Sequence, residues 1–359
     1  MQNIRVLKPK GFINLCGNII YPISPYILCS SFFYIIADII SQRISANEVF
    51  EFLELLKVLF SSTFYFLPII ISINAARQLN YNLVSAAILG GFFIYPLLNK
   101  SDSEEYINIF GKLFLKSGFK EILPIVFSVI FVMFTEKIIY SIFKKSNSFI
   151  IHFICLVFSY LIIFFVFMPI LRFLSSGILY FFVFIFNKLF YFSGFFIGFL
   201  YSLISPLGLS ENLHSIRCYL FSFCGSDILL HIKNIFDISQ FSASLVCFFI
   251  LNKKDEKQKA LISSLCCLFG FSAAALFCFN LKYIKPFLCS LFGCAVGSGT
   301  ILLLSLESFF IKSIYLYDNL FSSFLNNPFV YTFCFFITFL LTVLPLLRIT
   351  KGNIRNNKI

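Results

Sequence analysis

Long runs without a single charged side chain recur along the sequence, and they constrain its fold more than any other feature. Nothing is charged between Lys57 and Arg77, nor between Arg77 and Lys100. The same holds from His152 to Arg172, Lys188 to Glu211, Lys259 to Lys282, Lys285 to Glu307 and Asp318 to Arg348. A bilayer core about 30 Å thick is crossed by about 20 residues of helix, which is the scale of these runs. A signal peptide supplies one such run near the N-terminus and ordinary sequence afterwards. Recurrence excludes that explanation.

A water-soluble fold is excluded by the charge balance. Only 12% of residues are charged and 59% are hydrophobic, whereas soluble domains carry about 25% charged residues. The expected fold class is an all-α integral membrane protein in one membrane domain. Phe is abundant, at 54 residues, and Trp is absent, so the 17 Tyr residues are the expected interfacial anchors. Phe stripes are expected to face lipid or fill packing space.

The net charge of +12 does not point to nucleic acid. Its basic residues cluster in short loops and tails: Arg5, Lys8 and Lys10; Lys253, Lys254 and Lys257; Arg348, Lys351, Arg355 and Lys358. By the positive-inside rule these face the cytoplasm, so both termini are expected on the cytoplasmic side of the membrane, with about ten crossings. The stretches around Glu48, Glu51 and Glu54 and around Glu307 and Asp318 then lie outside. Twelve cysteines sit mostly in apolar segments without any C-x-x-C. They read as buried small hydrophobes, and neither a metal nor a cofactor is expected.

Gly11 to Ser24 is apolar but broken by Gly17 and Pro22, which suits an interfacial segment. Spans are expected at Ile27 to Ile40, Val58 to Ile73, Leu83 to Leu98, Leu123 to Ile142 and Phe149 to Leu171. Further spans follow at Ile178 to Leu203, Phe236 to Leu251, Pro286 to Leu304 and Pro328 to Leu347. The Glu136-Lys137 pair is expected to reach water at a span end. Two regions resist a plain helix. Pro206 to Asp237 holds Glu211, Arg217, Asp227 and Lys233, and Leu261 to Phe279 runs into Lys282 and Lys285. Basic residues on both sides of the second region favour one cytoplasmic face for both its ends. Irregular backbone at membrane depth persists only where protein buries it or water lines it. Both regions read as re-entrant hairpins around an internal site, near 206–235 and 261–285.

Three segments carry the chemistry. Ser72 to Asn82 is small and polar between two spans, and Asn82 is placed to cap the next helix; a plain cytoplasmic turn is the structural alternative. In Ile204 to His214, Pro206 and Gly208 break the helix just before Glu211 and His214. Ionisable groups at that depth are costly and usually functional, while a loop outside the lipid is the alternative. Gly270 to Phe287 combines small residues with a basic end, as a packing helix also would.

In this order and spacing the segments resemble the sugar-translocating C component of the bacterial phosphotransferase system, glucose and glucoside superfamily. The likeness is nearest to the β-glucoside, sucrose and trehalose branch and extends over almost the whole chain. Leu67-Pro68-Ile69 leads through Ala75-Ala76 to Asn82 and Pro96 as in that branch. Gly198-Phe199-Leu200-Tyr201 through Gly208-Leu209 lies on its G-F-x-Y-G…G-L-H-H run. Asn280, Leu281, Lys282, Lys285, Pro286 and Phe287 keep step with its G-I-T-E-P-A run and the N-L-R that follows. Leu123-Pro124-Ile125 and Glu136-Lys137 match its L-P-I and E-K positions.

Two departures stand out. The family's histidine pair falls on Ser210 and Glu211, and its Glu-Pro falls on Ala273-Ala274, preceded by Ser272. The resemblance implies that the family's Glu and first His line the sugar site. It therefore implies substrate contacts at Ser210, Glu211, His214, Ser272, Asn280 and Lys282, with Glu211 and His214 standing in for the lost groups. It implies a homodimer whose scaffold part (about 11–175) supports an elevator-type transport part (about 176–305), followed by a last span and basic tail (306–359). No stretch of this sequence suits the soluble B domain, so separate IIB and IIA components are the expected phosphoryl-transfer partners. No catalytic residue is identified in the chain itself. One alternative is a degenerate relative serving as membrane sensor or anchor. A lipid transferase is a further one, without a matching carboxylate constellation.

Overall fold

The computed structural model describes residues 9–41, 47–94, 106–109, 112–115, 122–142, 157–163, 165, 168–189, 192–207, 228–305 and 328–354. Helices α1 (Pro9–Ile20) and α2 (Ser24–Ser41) are joined by a 3-10 turn, Tyr21–Ile23. Pro22 and Pro25 lack the N–H that a continuous α-helix needs there, so the turn tightens. Helices α3 (Asn47–Tyr65), α4 (Leu67–Leu79) and α5 (Leu83–Ile94) follow, then α6 (Ile122–Ile142) and α7 (Met168–Leu189). The C-terminal half contains α8 (Ser193–Ile204), α9 (Ile228–Ile250), α10 (Lys254–Leu268), α11 (Lys285–Ser305) and α12 (Pro328–Ile354).

Among the described residues, four helical stretches are long and apolar enough to cross a membrane: Gly11–Ser41, Val49–Leu79, Lys285–Leu304 and Pro328–Ile349. Large apolar side chains such as Tyr26, Phe173 and Phe329 are exposed on the outside. In water that surface would be unstable; in lipid it is the expected exterior.

The chain divides into two compact units. The first takes Met1–Ile4, Tyr65–Tyr180 and Leu207–Leu213, and the second takes Arg5–Phe64, Phe181–Pro206 and His214–Ile359. Packing thus places α1 and α2 with the C-terminal helices. In the first unit α4 packs on α5, whose Gly90 lies so close to Pro68 and Ile69 that a Cβ would overlap their backbone. The α4–α5 turn is closed by Asn80 at φ 52°, with Tyr81 N–H donating to Ala76 O (2.8 Å) and Asn80 N–H to Arg77 O (3.3 Å). This paired closure satisfies carbonyls that the helix end would orphan. Asn82 Oδ1 then accepts from Val84 N–H at 2.9 Å, capping α5 as the sequence suggests.

In the second unit α9 packs against α10, α11 and α12, and α11 packs against α8 and α12. Small residues set these approaches. A Cβ on Gly194 or Gly198 would meet Ser298, and one on Gly293 or Gly297 would meet Thr342 or Thr338. Membrane helices associate through such close contacts because lipid offers no hydrophobic drive between them.

The described residues are predominantly helical as expected, with one short two-stranded antiparallel ribbon, β1 (Tyr106–Ile109) with β2 (Lys112–Leu115). Three expectations need correction. The expected span Ile178 to Leu203 is two helices, because α7 ends at Leu189 and α8 begins at Ser193. Helix α9 starts at Ile228, so His231, Lys233 and Asp237 belong to a continuous helix and not to an irregular hairpin. The helix tolerates those polar groups because protein, not lipid, surrounds them. Glu136 is buried at 6% exposure while Lys137 is exposed, so the pair does not reach water together. Tyr81 and Tyr160 lie beside the Glu136 carboxylate and give it a polar surrounding.

Candidate functional site

The C-terminal hairpin is built from its turn outward. Helix α10 begins with Asp255 and Glu256 in its first turn, where the helix dipole favours negative charge. It ends when Gly270 takes φ 85°, a conformation open to glycine because it has no Cβ. Phe271 N–H then donates to Cys266 O (2.9 Å) and Gly270 N–H to Cys267 O (3.0 Å), closing the helix as Asn80 closes α4. The backbone returns through a helical turn at Ala273–Ala275, a π turn at Leu276–Asn280 and a further turn at Leu281–Tyr283.

The return arm runs antiparallel to α10. Near the turn Cys278 faces Ser263, one step further Phe279 packs on Ala260, and at the base Lys282 comes within 4.0 Å of Glu256. No continuous helix joins Leu261 to Phe279. Helices α1 and α2 cover the two arms: Cys266 Sγ on α10 donates to Ser24 O of α2 at 3.4 Å, and Cys278 Sγ on the return arm to Gly17 O of α1 at 3.5 Å. A Cβ on Gly17 would stand 3.1 Å from Phe277 O, so only a very small residue fits.

A buried polar lane on α9 faces the hairpin. Asn280 Nδ2 donates to Gln240 Oε1 at 2.6 Å and to Gln240 O at 3.3 Å. Gln240 Nε2 donates in turn to Ser290 Oγ on α11 at 3.0 Å. Ser244 Oγ donates to Ala260 O across to α10 at 3.2 Å. Nearer the start of α9, His231 Nδ1 hydrogen-bonds the Tyr331 hydroxyl on α12. Unpaired polar groups at such depth would cost about 1–3 kcal/mol each, so the lane specifies how α9, α10 and α11 align. The π turn falls at Asn280; single π turns inside helices occur frequently at functional sites.

Asp237 is the charged member of the lane. Its residue is fully buried, Lys233 Nζ lies 3.2 Å from Oδ2, and Lys233 is itself 35% exposed at the side chain. Ser272, at the hairpin turn, lies close beside the carboxylate. Among the described residues Oδ1 accepts no hydrogen bond.

The residues expected from sequence separate in space. Ser210, Glu211 and His214 lie outside the described residues. Ser272 sits half-buried at the turn, next to Ala273. Asn280 is fully buried and donates to both Gln240 O and Gln240 Oε1, which makes it a structural brace of the lane. Lys282 is exposed at the hairpin base, over the Tyr283 ring at 5.2 Å. At 1.5 Å per residue it stands about 15 Å along the arm from Ser272. Asp237 and Gln240 did not emerge from the sequence as site residues. The available signal was Lys233 and Asp237 at i,i+4 spacing, which places both on one helix face.

Fold and site together define a polytopic helical membrane protein with a polar helical hairpin packed inside it. The chain belongs to the phosphotransferase system EIIC family, whose model matches residues 17–294. It is 27% identical over 301 residues to a sucrose-specific EIIBC component of Bacillus subtilis (strain 168), covering 82% of this chain and 65% of that protein. A sucrose-specific EIIBC component of Salmonella typhimurium is 27% identical over 298 residues, with 79% and 64% covered. A MurNAc-GlcNAc-specific EIIBC component of Staphylococcus epidermidis (strain ATCC 12228 / FDA PCI 1200) is 26% identical over 292 residues, with 79% and 61% covered. The chain thus spans less than two-thirds of the length of these relatives. No solved structure matches it.

Proposed function

We propose that the protein is the sugar-translocating membrane subunit of a phosphoenolpyruvate-dependent sugar phosphotransferase system, with a glucoside as substrate. The observation that carries this is the family match running unbroken from α1 through the hairpin into α11. Named relatives specific for sucrose and for MurNAc-GlcNAc support a glycoside as cargo. In this proposal the hairpin is re-entrant, with both ends on the cytoplasmic side. The hairpin and the polar lane of α9 belong to a part that moves across the membrane in the manner of an elevator, in a homodimer. About ten crossings, with both termini cytoplasmic, complete the arrangement. A IIB component phosphorylates the sugar at the cytoplasmic face after receiving its phosphoryl group from IIA.

The test is sugar-dependent phosphoryl transfer in membrane vesicles holding the full chain, supplied with IIB and IIA proteins. Accumulation of a sugar phosphate from sucrose, trehalose or a β-glucoside is expected. A second proposal, a sensor or anchor without transport, rests on Ala273 standing where the resemblance places the family's sugar-binding carboxylate. Sugar binding without any phosphoryl transfer would favour it.

A further inference from the structure

The hairpin turn offers little to a polyol by itself. Ser272 supplies one hydroxyl, and Ala273, Ala274 and Ala275 supply none. A sugar is held by groups that take hydrogen bonds from its hydroxyls, and a carboxylate can accept several at once. One carboxylate lies directly behind this turn. Asp237 sits nine residues into the 23-residue α9, about 14 Å from its first residue and not far from the middle of the helix.

Its surroundings are unequal on the two oxygens. Oδ2 meets Lys233 at 3.2 Å, whereas Oδ1 accepts no hydrogen bond among the described residues despite complete burial. A half-satisfied carboxylate inside a protein is costly, and such sites persist where a ligand or water completes them. The two groups flanking the carboxylate, Lys233 and Ser272, are both part-exposed, while the carboxylate itself is buried.

We propose that Asp237 is a specificity-determining carboxylate of the sugar site, its Oδ1 accepting a substrate hydroxyl at the hairpin turn while Lys233 holds Oδ2 in place. This rests on the translocator function proposed above. Asp237 and Ser272 then act from opposite elements on one hydroxyl, so substrate is read where the hairpin meets α9.

The full chain, purified in detergent, is titrated with sucrose, trehalose and methyl β-glucoside and with their monodeoxy analogues. For a sugar that binds, one deoxy position is expected to lose affinity by tenfold or more. In Asp237→Asn that penalty is expected to collapse to within about threefold, with the parent sugar itself weakened by tenfold or more. Ser272→Ala, which leaves the buried carboxylate and its lysine intact, is expected to reduce the penalty at the same hydroxyl by a smaller factor. It serves as the decisive variant if Asp237→Asn does not fold. An unchanged deoxy penalty in both folded variants, or in Ser272→Ala alone where the other is unfolded, overturns the inference and leaves the proposed function standing. If the unsubstituted chain binds none of the sugars, the proposed function falls and the inference falls with it.

Discussion

Among the described residues each compact unit buries one carboxylate, and the two are treated differently. Glu136 in the first unit lies beside the phenols of Tyr81 and Tyr160, with its neighbouring Lys137 turned outward. Tyr160 is held by its own packing, stacked on Phe92 and hydrogen-bonded to Ser85 O at 3.3 Å. Asp237 in the second unit has a lysine on its own helix and a hairpin turn opposite. A carboxylate surrounded by fixed neutral groups braces helices. A carboxylate paired through one oxygen and lying beside a hairpin turn is the one proposed above to take a substrate hydroxyl.

The comparison breaks or sharpens under substitution. The largest effect is expected from Lys233→Met, which strands Asp237 as a buried charge and should cost about 3 kcal/mol. Denaturant unfolding in detergent measures it, and adding Asp237→Asn should restore most of the loss. If the double variant is no more stable than Lys233→Met, the two groups are not coupled. Next, Glu136→Leu should cost about 2 kcal/mol through the acceptor lost to the tyrosines, with sugar affinity unchanged in the folded fraction. A sugar-specific defect would erase the distinction between the two carboxylates.

A third carboxylate, Glu211, lies outside the described residues and enters from sequence alone. Glu211→Gln is expected to weaken sugar binding by about tenfold, the equivalent of about 1.4 kcal/mol, and more than Ser272→Ala does. Equal affinities for Glu211→Gln and the parent, measured calorimetrically, would leave Asp237 as the acidic group that matters. The smallest effect is at the hairpin's exit. Ile284 holds φ 60°, which disfavours a β-branched residue, so Ile284→Gly should raise stability by about 1 kcal/mol. A drop in thermal midpoint would mean that the Ile284 side chain contributes more than its backbone costs.

Much of the fold is legible because lipid leaves few options. Uncharged runs located α11 and α12, and Asn82 marked the cap of α5. The interruption of Leu261 to Phe279 followed from basic residues at both ends. The start of α9 was not legible. Its charges looked incompatible with a span, yet Lys233 and Asp237 neutralise each other one turn apart inside a protein environment. Pairing at i,i+4 turned an apparent break into ordinary helix. The candidate site was half legible: Ser272 came from the family resemblance, while Asp237 belongs to another element and reaches the turn only through tertiary packing.

The contacts of α1 with the hairpin carry a consequence for how the protein is made. Gly17 and Cys278 are 261 residues apart in the chain. At about 5–20 residues per second, synthesis delivers the hairpin roughly 15–50 s after its covering helix has emerged. During that interval the small-residue face around Gly17 meets only lipid or transient neighbours. Docking of the hairpin is therefore a late event, and a ribosome stalled before residue 270 would leave α1 inserted with its partner missing. Quality-control proteases that recognise an uncovered helix face would find their opportunity in that window.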